Sequence, residues 1–127
     1  MEKSVIRTEA APAPFQGAPY NQAIVVGELV FVAGQLGLEP GDTAVAGNIG
    51  EQTEQALANL AAILEAAGSS MDRVVNVTFI LSRPEDFPGM NEEWTRWFPD
   101  NPPARSGARH PLQVENLLIS MAVIAEA

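Results

Sequence analysis

Hydrophobic positions recur along this chain with two different periods, and each change of period predicts a new element. Residues 23–33 form two β-branched runs around Gly27 and Glu28. That pattern predicts a hairpin with a glycine-first, type II′ turn. Residues 74–81 are again β-branched, which predicts a further strand. Alternation along this strand predicts one inward face, made of Val75, Val77, Phe79 and Leu81.

Between those strands, residues 49–67 carry apolar and small side chains at helical spacing. Asn48 precedes Glu51 by three residues, which is typical of a capping box at a helix start. Gly68 can adopt the left-handed conformation that ends a helix. The sequence therefore predicts a helix with both ends defined.

A second helix is predicted to begin near Pro84, because proline suits a first helical turn. Prolines at 99, 102 and 103 prevent its continuation. Residues 117–125 are apolar on both faces, which indicates a strand covered on both sides. The predicted buried stripe of the second helix contains Phe87, Met90, Trp94, Trp97 and Phe98.

The predicted order is strand, hairpin, helix, strand, helix, strand, strand. It indicates an α+β fold with a single sheet of about six strands and two helices packed on one face. A length of 127 residues suits a single domain, here 1–127. The other face of the sheet stays uncovered, and its apolar strands predict a homo-oligomer.

The net charge of the chain limits the classes of binding partner that are expected. Sixteen acidic and seven basic side chains give a formal net charge of -9, which disfavours nucleic acid and anionic membranes. The chain has no apolar run of membrane-span length and does not begin with a signal-peptide pattern, so a soluble cytoplasmic protein is expected. With no cysteine and one histidine, thiol chemistry is excluded and a metal cluster is disfavoured.

Arg105 is the first candidate site residue. It follows two prolines, which restrict the backbone, and a guanidinium held in place binds a planar carboxylate with two parallel hydrogen bonds. The simpler alternative is that Arg105 pairs with one of the sixteen acidic groups of the chain.

Two neighbours of Arg105 invite separate hypotheses. His110 could act as an acid–base group because its unperturbed pKa lies near neutrality. Strand alternation turns it away from the face of Arg105, which favours a surface role before Pro111. Arg109 shares the face of Arg105 and could either widen a cationic pocket or pair with Glu115.

Several short motifs, in one order and at consistent spacing, resemble the Rid family, also called the YjgF or reactive-intermediate deaminase family. Together they span almost the full chain. They are "APYNQ" at 18–22, "FVAGQLG" at 31–37, "QALANLAAILEAAG" at 55–68, "DRVVNVTFIL" at 72–81, "DFPGMNEEW" at 86–94 and "PPARS" at 102–106.

This resemblance implies a chorismate-mutase-like fold assembled as a homotrimer with pockets at the subunit interfaces. It also implies hydrolysis of 2-aminoacrylate and related 2-imino acids to 2-keto acids and ammonia, with no metal or cofactor. The ligand would be a small carboxylate or 2-imino acid.

The resemblance also assigns site residues. Arg105 would hold the substrate carboxylate, and Tyr20 and the backbone at Gly34 would line the pocket. The backbone at Gly107 would lie near the imine. Asn91 matches an asparagine of the family's second helix, where a packing role is an alternative.

The chain departs from the family pattern at three places. Ala33 replaces a serine of the family, and residues 107–111 differ from the family's "VEVAR". The family's last strand, "IEIEAIA", matches residues 119–125, where Ser120 replaces the glutamate thought to activate water. A serine hydroxyl can orient water but is not a base near neutral pH, so we predict weak deaminase activity.

Alternative functions remain open at this point. The chain could be a trimer that binds small carboxylates without efficient hydrolysis, or a trimeric scaffold, natural or engineered, with an incidental pocket. RNA cleavage is disfavoured by the acidic charge. Chorismate mutase activity is disfavoured because fold alone does not transfer function.

Overall fold

Six strands form one mixed sheet in the computed structural model, which describes residues 2–127. The strands are β1 (Lys3–Ile6), β2 (Ala23–Val26), β3 (Leu29–Leu36), β4 (Val74–Leu81), β5 (Ala104–Arg109) and β6 (Ile119–Glu126). The helices are α1 (Ile49–Ala66) and α2 (Phe87–Trp97), with short 3-10 turns at Phe15–Gly17, Met71–Arg73 and Pro84–Asp86.

The strand order is β1-β2-β3-β6-β4-β5. β4 and β5 pair in parallel, and every other neighbouring pair is antiparallel. The last strand of the chain, β6, therefore lies in the middle of the sheet, and β5 forms one edge. This confirms the predicted α+β fold with one sheet and two helices.

Local sequence signals place the ends of these elements correctly. Gly27 has a φ of +57° in the β2–β3 turn, and Glu28 does not share a positive φ, as a type II′ turn requires. At the start of α1, Asn48 accepts a hydrogen bond from the Glu51 backbone, and the Glu51 side chain accepts one from the Asn48 backbone. Gly68, with a φ of +82°, follows the end of α1.

The core lies between the helices and one face of the sheet. Alternate residues of β6, including Ile119, Met121 and Val123, are buried, while Ser120, Ala122 and Ile124 between them are only partly covered. The helices contribute fully buried side chains from Leu57, Leu60, Ile63, Leu64 and Met90. Thus one face of the sheet is packed, and the other carries no helix.

Two predicted core positions are wrong. Val75 is 44% exposed because the pairing of β4 with β6 shifts between Val74 and Asn76, which turns Val74 inward instead. Phe87 is 42% exposed because it lies at the first position of α2, beyond the cover of the core. Trp94 is buried and Trp97 is partly buried, as predicted.

Buried amide side chains hold the long loops, which the hydrophobic pattern did not reveal. Gln22 donates to the carbonyls of Thr8, Ala11 and Pro12. Gln52 donates to the carbonyls of Gly47 and Asn116, and Asn59 donates to those of Leu36 and Leu38. These hydrogen bonds satisfy backbone carbonyls that lie mostly in the loops.

Neither helix of the described chain is long and apolar enough to cross a membrane.

Candidate active site

Arg105 lies on the edge strand and points to the helix-covered face. β5 begins directly after Pro103, as the two prolines predict. In the parallel pairing of β5 with β4, Arg105 is opposite Val77, a buried core residue on the helix side. Its Nη1 atom donates to Oδ1 of Asn91 on α2 at 2.7 Å. The structure thus brings these two predicted site residues together.

Three aromatic rings surround the same guanidinium. The Cζ atom of Arg105 lies 4.8 Å from the ring centroid of Trp94, 5.2 Å from that of Phe79 and 5.6 Å from that of Phe87. Each distance falls within the range of a cation–π contact. The rings hold the cation in place without neutralising its charge.

The simpler hypothesis for Arg105 was an internal ion pair. Within residues 2–127, no ion pair includes Arg105; the ion pairs there join Arg83 to Asp86, and Arg96 to Glu92 and Glu93. Asn91 occupies one of the five guanidinium N–H donors with a neutral amide oxygen. The remaining donors and the positive charge suit a carboxylate ligand.

Gly107, two residues along β5, lies under the ring of Phe79. A Cβ atom at Gly107 would lie 2.0 Å from Cζ of Phe79, which no real side chain tolerates. The ring therefore occupies the space that a side chain at position 107 would otherwise fill. We call Arg105, Asn91 and Gly107, with their three aromatic rings, the arginine half-site.

Arg109 and His110 lie at the end of this strand. Within the described part of the chain, Arg109 forms no ion pair with Glu115, so that hypothesis is wrong. Arg109 instead lines an open groove beside Phe79 and Phe87. His110 is exposed, and its Nδ1 lies 2.8 Å from the carbonyl oxygen of Pro111, in agreement with a surface role.

A bulge between β3 and β6 shapes a second group of predicted residues. The pairing shifts between Val32 and Gln35, so Ala33 and Gly34 leave the regular ladder. A Cβ atom at Gly34 would lie 2.9 Å from Oγ of Ser120. The absence of a side chain at Gly34 thus lets the β3 backbone approach the serine hydroxyl closely.

Tyr20 joins this second group. It lies just before β2, is 41% exposed, and its hydroxyl accepts a hydrogen bond of 2.8 Å from the backbone N–H of Phe15. Its ring and Gly34 line the same small cavity. The phenol hydrogen stays available for a second partner. We call Tyr20, Gly34 and Ser120 the serine half-site.

The two half-sites of one chain do not meet. Ser120 on β6 is opposite Ile80 on β4, and Ile80 is opposite Ala108 on β5, so all three side chains point to the helix-free face. Arg105 points to the helix face. Two strand spacings, about 10 Å, and the thickness of the sheet separate the two residues.

An ion pair between the half-exposed Arg83 and the buried Asp86 supports the turn that leads into α2. Arg83 donates to both carboxylate oxygens of Asp86 at 2.9 Å, and the Asp86 side chain is almost fully buried. The hydrogen bond to Asp86 raises the pKa of Arg83, and the nearby negative charge adds to this against the opposing effect of desolvation. The pair stabilises the approach to Phe87 and Asn91.

Sequence reasoning missed the aromatic part of the arginine half-site. It assigned Phe79, Phe87 and Trp94 to the core, because apolar residues at strand or helix spacing usually pack inside. Phe79 and Gly107 each lie two residues before the end of a strand, β4 and β5. The parallel pairing of these two strands places the two residues opposite each other, and no local sequence pattern indicates that pairing.

Comparison with known proteins adds independent information. Residues 8–127 match the family model described as endoribonuclease L-PSP. A RutC family protein of Pyrococcus abyssi is 44% identical over 127 residues, which cover 98% of each chain. The human 2-iminobutanoate/2-iminopropanoate deaminase is 37% identical over 105 residues, 82% of this chain and 75% of that protein.

Solved structures give the same result for the fold. A Thermotoga maritima protein of 39% identity superposes with a TM-score of 0.90, covering 100% of this chain and 98% of its own. E. coli TdcF, solved with bound serine, has a TM-score of 0.90 at 26% identity and covers 98% of both chains.

Proposed function

Since the chain belongs to the endoribonuclease L-PSP family, which is the Rid or YjgF family, we propose that it is an imine deaminase. The proposed reaction is hydrolysis of 2-aminoacrylate-type 2-imino acids to 2-keto acids and ammonia. The human relative is named for that reaction on 2-iminobutanoate and 2-iminopropanoate.

The carbon–nitrogen bond is broken by water. Water adds to the imine carbon while the nitrogen takes up a proton. The resulting carbinolamine then loses ammonia as its hydroxyl becomes the carbonyl of the keto acid. Such a reaction needs a fixed carboxylate, a hydrogen bond to nitrogen and a positioned water.

The single observation that carries the proposal is the environment of Arg105. Its guanidinium is held by Asn91 and three rings, and it has no carboxylate partner among the described residues. A cation fixed in this way is preorganised for the carboxylate that every 2-imino acid carries. The serine bound to E. coli TdcF also carries an α-carboxylate.

We further propose that a complete site forms between two copies in a homotrimer. One copy would contribute the arginine half-site and its neighbour the serine half-site, since the two cannot meet in one chain. The helix-free face supports this proposal, because it exposes Phe31 and holds an open cavity of about 380 Å³ lined in part by Ala122 and Ile124. Covering that face would bury apolar surface.

In this arrangement Ser120 limits the rate. Its hydroxyl can orient the attacking water next to the exposed backbone at Gly34, but it cannot accept the proton that water loses. A missing general base commonly lowers the rate by a factor of about 100 to 10,000. We therefore expect slow, Arg105-dependent turnover.

The test is ammonia release from 2-aminoacrylate generated in place by a serine dehydratase. The wild-type protein should release ammonia slowly but faster than the uncatalysed reaction. Arg105→Ala should release ammonia only at the uncatalysed rate. Fast turnover would contradict the assigned role of Ser120. Turnover that persists in Arg105→Ala would contradict the assigned role of Arg105.

Carboxylate binding without turnover is the second candidate function, and the replacement at Ser120 favours it. Binding of 2-ketobutyrate, measured as an increase in Tm, should require Arg105 under both proposals. If binding is seen and ammonia release equals the uncatalysed rate, the protein is a carboxylate-binding trimer. If neither is seen, both proposals fail.

The family description names RNA cleavage, which we do not propose for this chain. A formal net charge of -9 opposes association with the phosphate backbone. Incubation with single-stranded RNA should leave it intact at enzyme concentrations that release ammonia from the imine.

A further inference from the structure

An open groove lies along the outer end of β5, beside the two phenylalanine rings that contact Arg105. Its volume is about 340 Å³, near the lower limit for small-molecule sites. Arg109 is the one charged residue in its lining, and the remaining lining residues are apolar or glycine. The lining residues are Phe79, Leu81, Pro84, Phe87, Gly107, Ala108 and Arg109.

Phe79 forms one wall of this groove, and its position depends on Gly107. The ring lies directly over the glycine, where a Cβ atom would be 2.0 Å from it. Phe79 is otherwise almost fully buried, so its ring has little freedom to move inward. A side chain at position 107 would therefore push the ring toward the groove.

Phe87 adjoins Phe79 in the lining of this groove. It is 42% exposed although it is a large apolar side chain, so the core does not explain its position. Its ring centroid lies 6.3 Å from that of Phe79, with 30° between the two planes. The two rings thus contact each other and together form one apolar surface of the groove.

Both rings also adjoin the carboxylate-binding group. They lie 5.2 and 5.6 Å from Cζ of Arg105. In a 2-imino acid, the side chain is attached one carbon away from the carboxylate. A ligand held by Arg105 therefore has its side chain within reach of the two rings.

We propose that Phe79 and Phe87 make this site select 2-imino acids with branched aliphatic or phenyl side chains over those with one or two side-chain carbons. The inference rests on the proposed function and specifies its substrate class. Each additional apolar group that enters such a groove favours the larger substrate by about tenfold or more.

The selectivity can be measured by binding alone. Calorimetry with pyruvate, 4-methyl-2-oxopentanoate and phenylpyruvate gives the ratio of affinities without any requirement for turnover. The wild-type protein should bind each of the two larger keto acids at least about tenfold more tightly than pyruvate.

Three variants test the walls. Gly107→Ala should displace the Phe79 ring into the groove and bring the ratio of affinities, larger keto acid to pyruvate, close to one. Gly107→Ala combined with Phe79→Leu should restore part of it, because the shorter side chain leaves room. Phe87→Leu changes an exposed residue with little risk to folding. It should lower the affinity for phenylpyruvate relative to that for pyruvate. Val5→Ala, at the opposite edge of the sheet, is the control and should keep the wild-type ratio.

The outcomes separate the two levels of proposal. A high ratio that decreases in Gly107→Ala and in Phe87→Leu supports the inference, even if ammonia release is absent and the proposed hydrolysis fails. A wild-type ratio near one, or a ratio that none of the variants changes, overturns the inference while Arg105-dependent binding stands. Absence of binding by any keto acid overturns both.

Discussion

The arginine half-site and the serine half-site differ in how their groups are held. Arg105 is fixed by a hydrogen bond to Asn91 and by three rings, all from elements that pack against the core. The serine half-site is made of an exposed backbone at Gly34, an exposed Tyr20 and a short hydroxyl at Ser120. The first has a full charge in a rigid frame, while the second has no charged group.

From this difference we expect that carboxylate binding and imine turnover can be altered separately in this protein. Holding a carboxylate requires a preorganised cation, which the arginine half-site has. Activating water requires a proton acceptor, which the serine half-site lacks. Changes on the two sides should therefore alter different measured quantities.

The largest expected effect comes from removing the cation. Arg105→Ala should weaken binding of 2-ketobutyrate by about 30-fold to several thousandfold, as for the loss of a charge-assisted contact worth about 2–5 kcal/mol. Arg105→Lys should give an intermediate loss, because an ammonium keeps the charge without the two-pronged geometry. Titration calorimetry measures both. Equal affinity in all three proteins would show that the ligand binds elsewhere.

Introducing a base in the serine half-site should give the next largest effect, on the rate of ammonia release. Ser120→Glu should raise the rate of ammonia release by about a hundredfold, because a carboxylate next to Gly34 can accept a proton from water. Ser120→Gln is the matched control, with nearly the same shape and no basic group. If both variants are equally slow, the hydroxyl is not what limits the reaction.

A smaller effect on ligand affinity should follow when a carboxylate of the protein itself pairs with Arg105. Asn91→Asp replaces the amide oxygen 2.7 Å from Arg105 with a carboxylate oxygen, which competes with the ligand. Affinity for 2-ketobutyrate should fall by about tenfold, and by more than in Asn91→Ala, which only frees the guanidinium. The reverse order would mean that Asn91 serves mainly to orient Arg105.

The smallest effect should come from a site distant from both half-sites. Asn48→Ala removes the side-chain acceptor at the start of α1 and should lower the free energy of unfolding by about 1 kcal/mol. Denaturant unfolding measures the loss. Ligand affinity should not change, and a parallel decrease in affinity would indicate that site geometry depends on stability alone.

Most of the fold could be predicted because its signals are local. The turn at Gly27, the capping box of Asn48 and Glu51, and the bounds of β4 each depend on a few adjacent residues. Val75 was predicted on the wrong face because a bulge interrupts alternation, and a bulge depends on the partner strand.

The candidate site was predictable only in part. Arg105 and its proposed role were indicated by the prolines before it and by the family resemblance. Its contacts with Phe79 and Phe87 were not, since they join β5 to β4 and to α2 across separations that no local pattern describes. The pairing of Arg109 with Glu115 was wrong, since Arg109 lines the groove beside Phe79 and Phe87 instead.

The order of residues along the chain was enough to predict which elements form and which groups are available for chemistry. Propensity, periodicity and capping act within a few residues, and the serine at position 120, where the family resemblance implies a glutamate, can be read directly. The placement of Arg105 and Ser120 on opposite faces of the sheet became known from the folded arrangement of the strands. That result follows from the central position of β6 and the edge position of β5, which depend on pairing between distant strands.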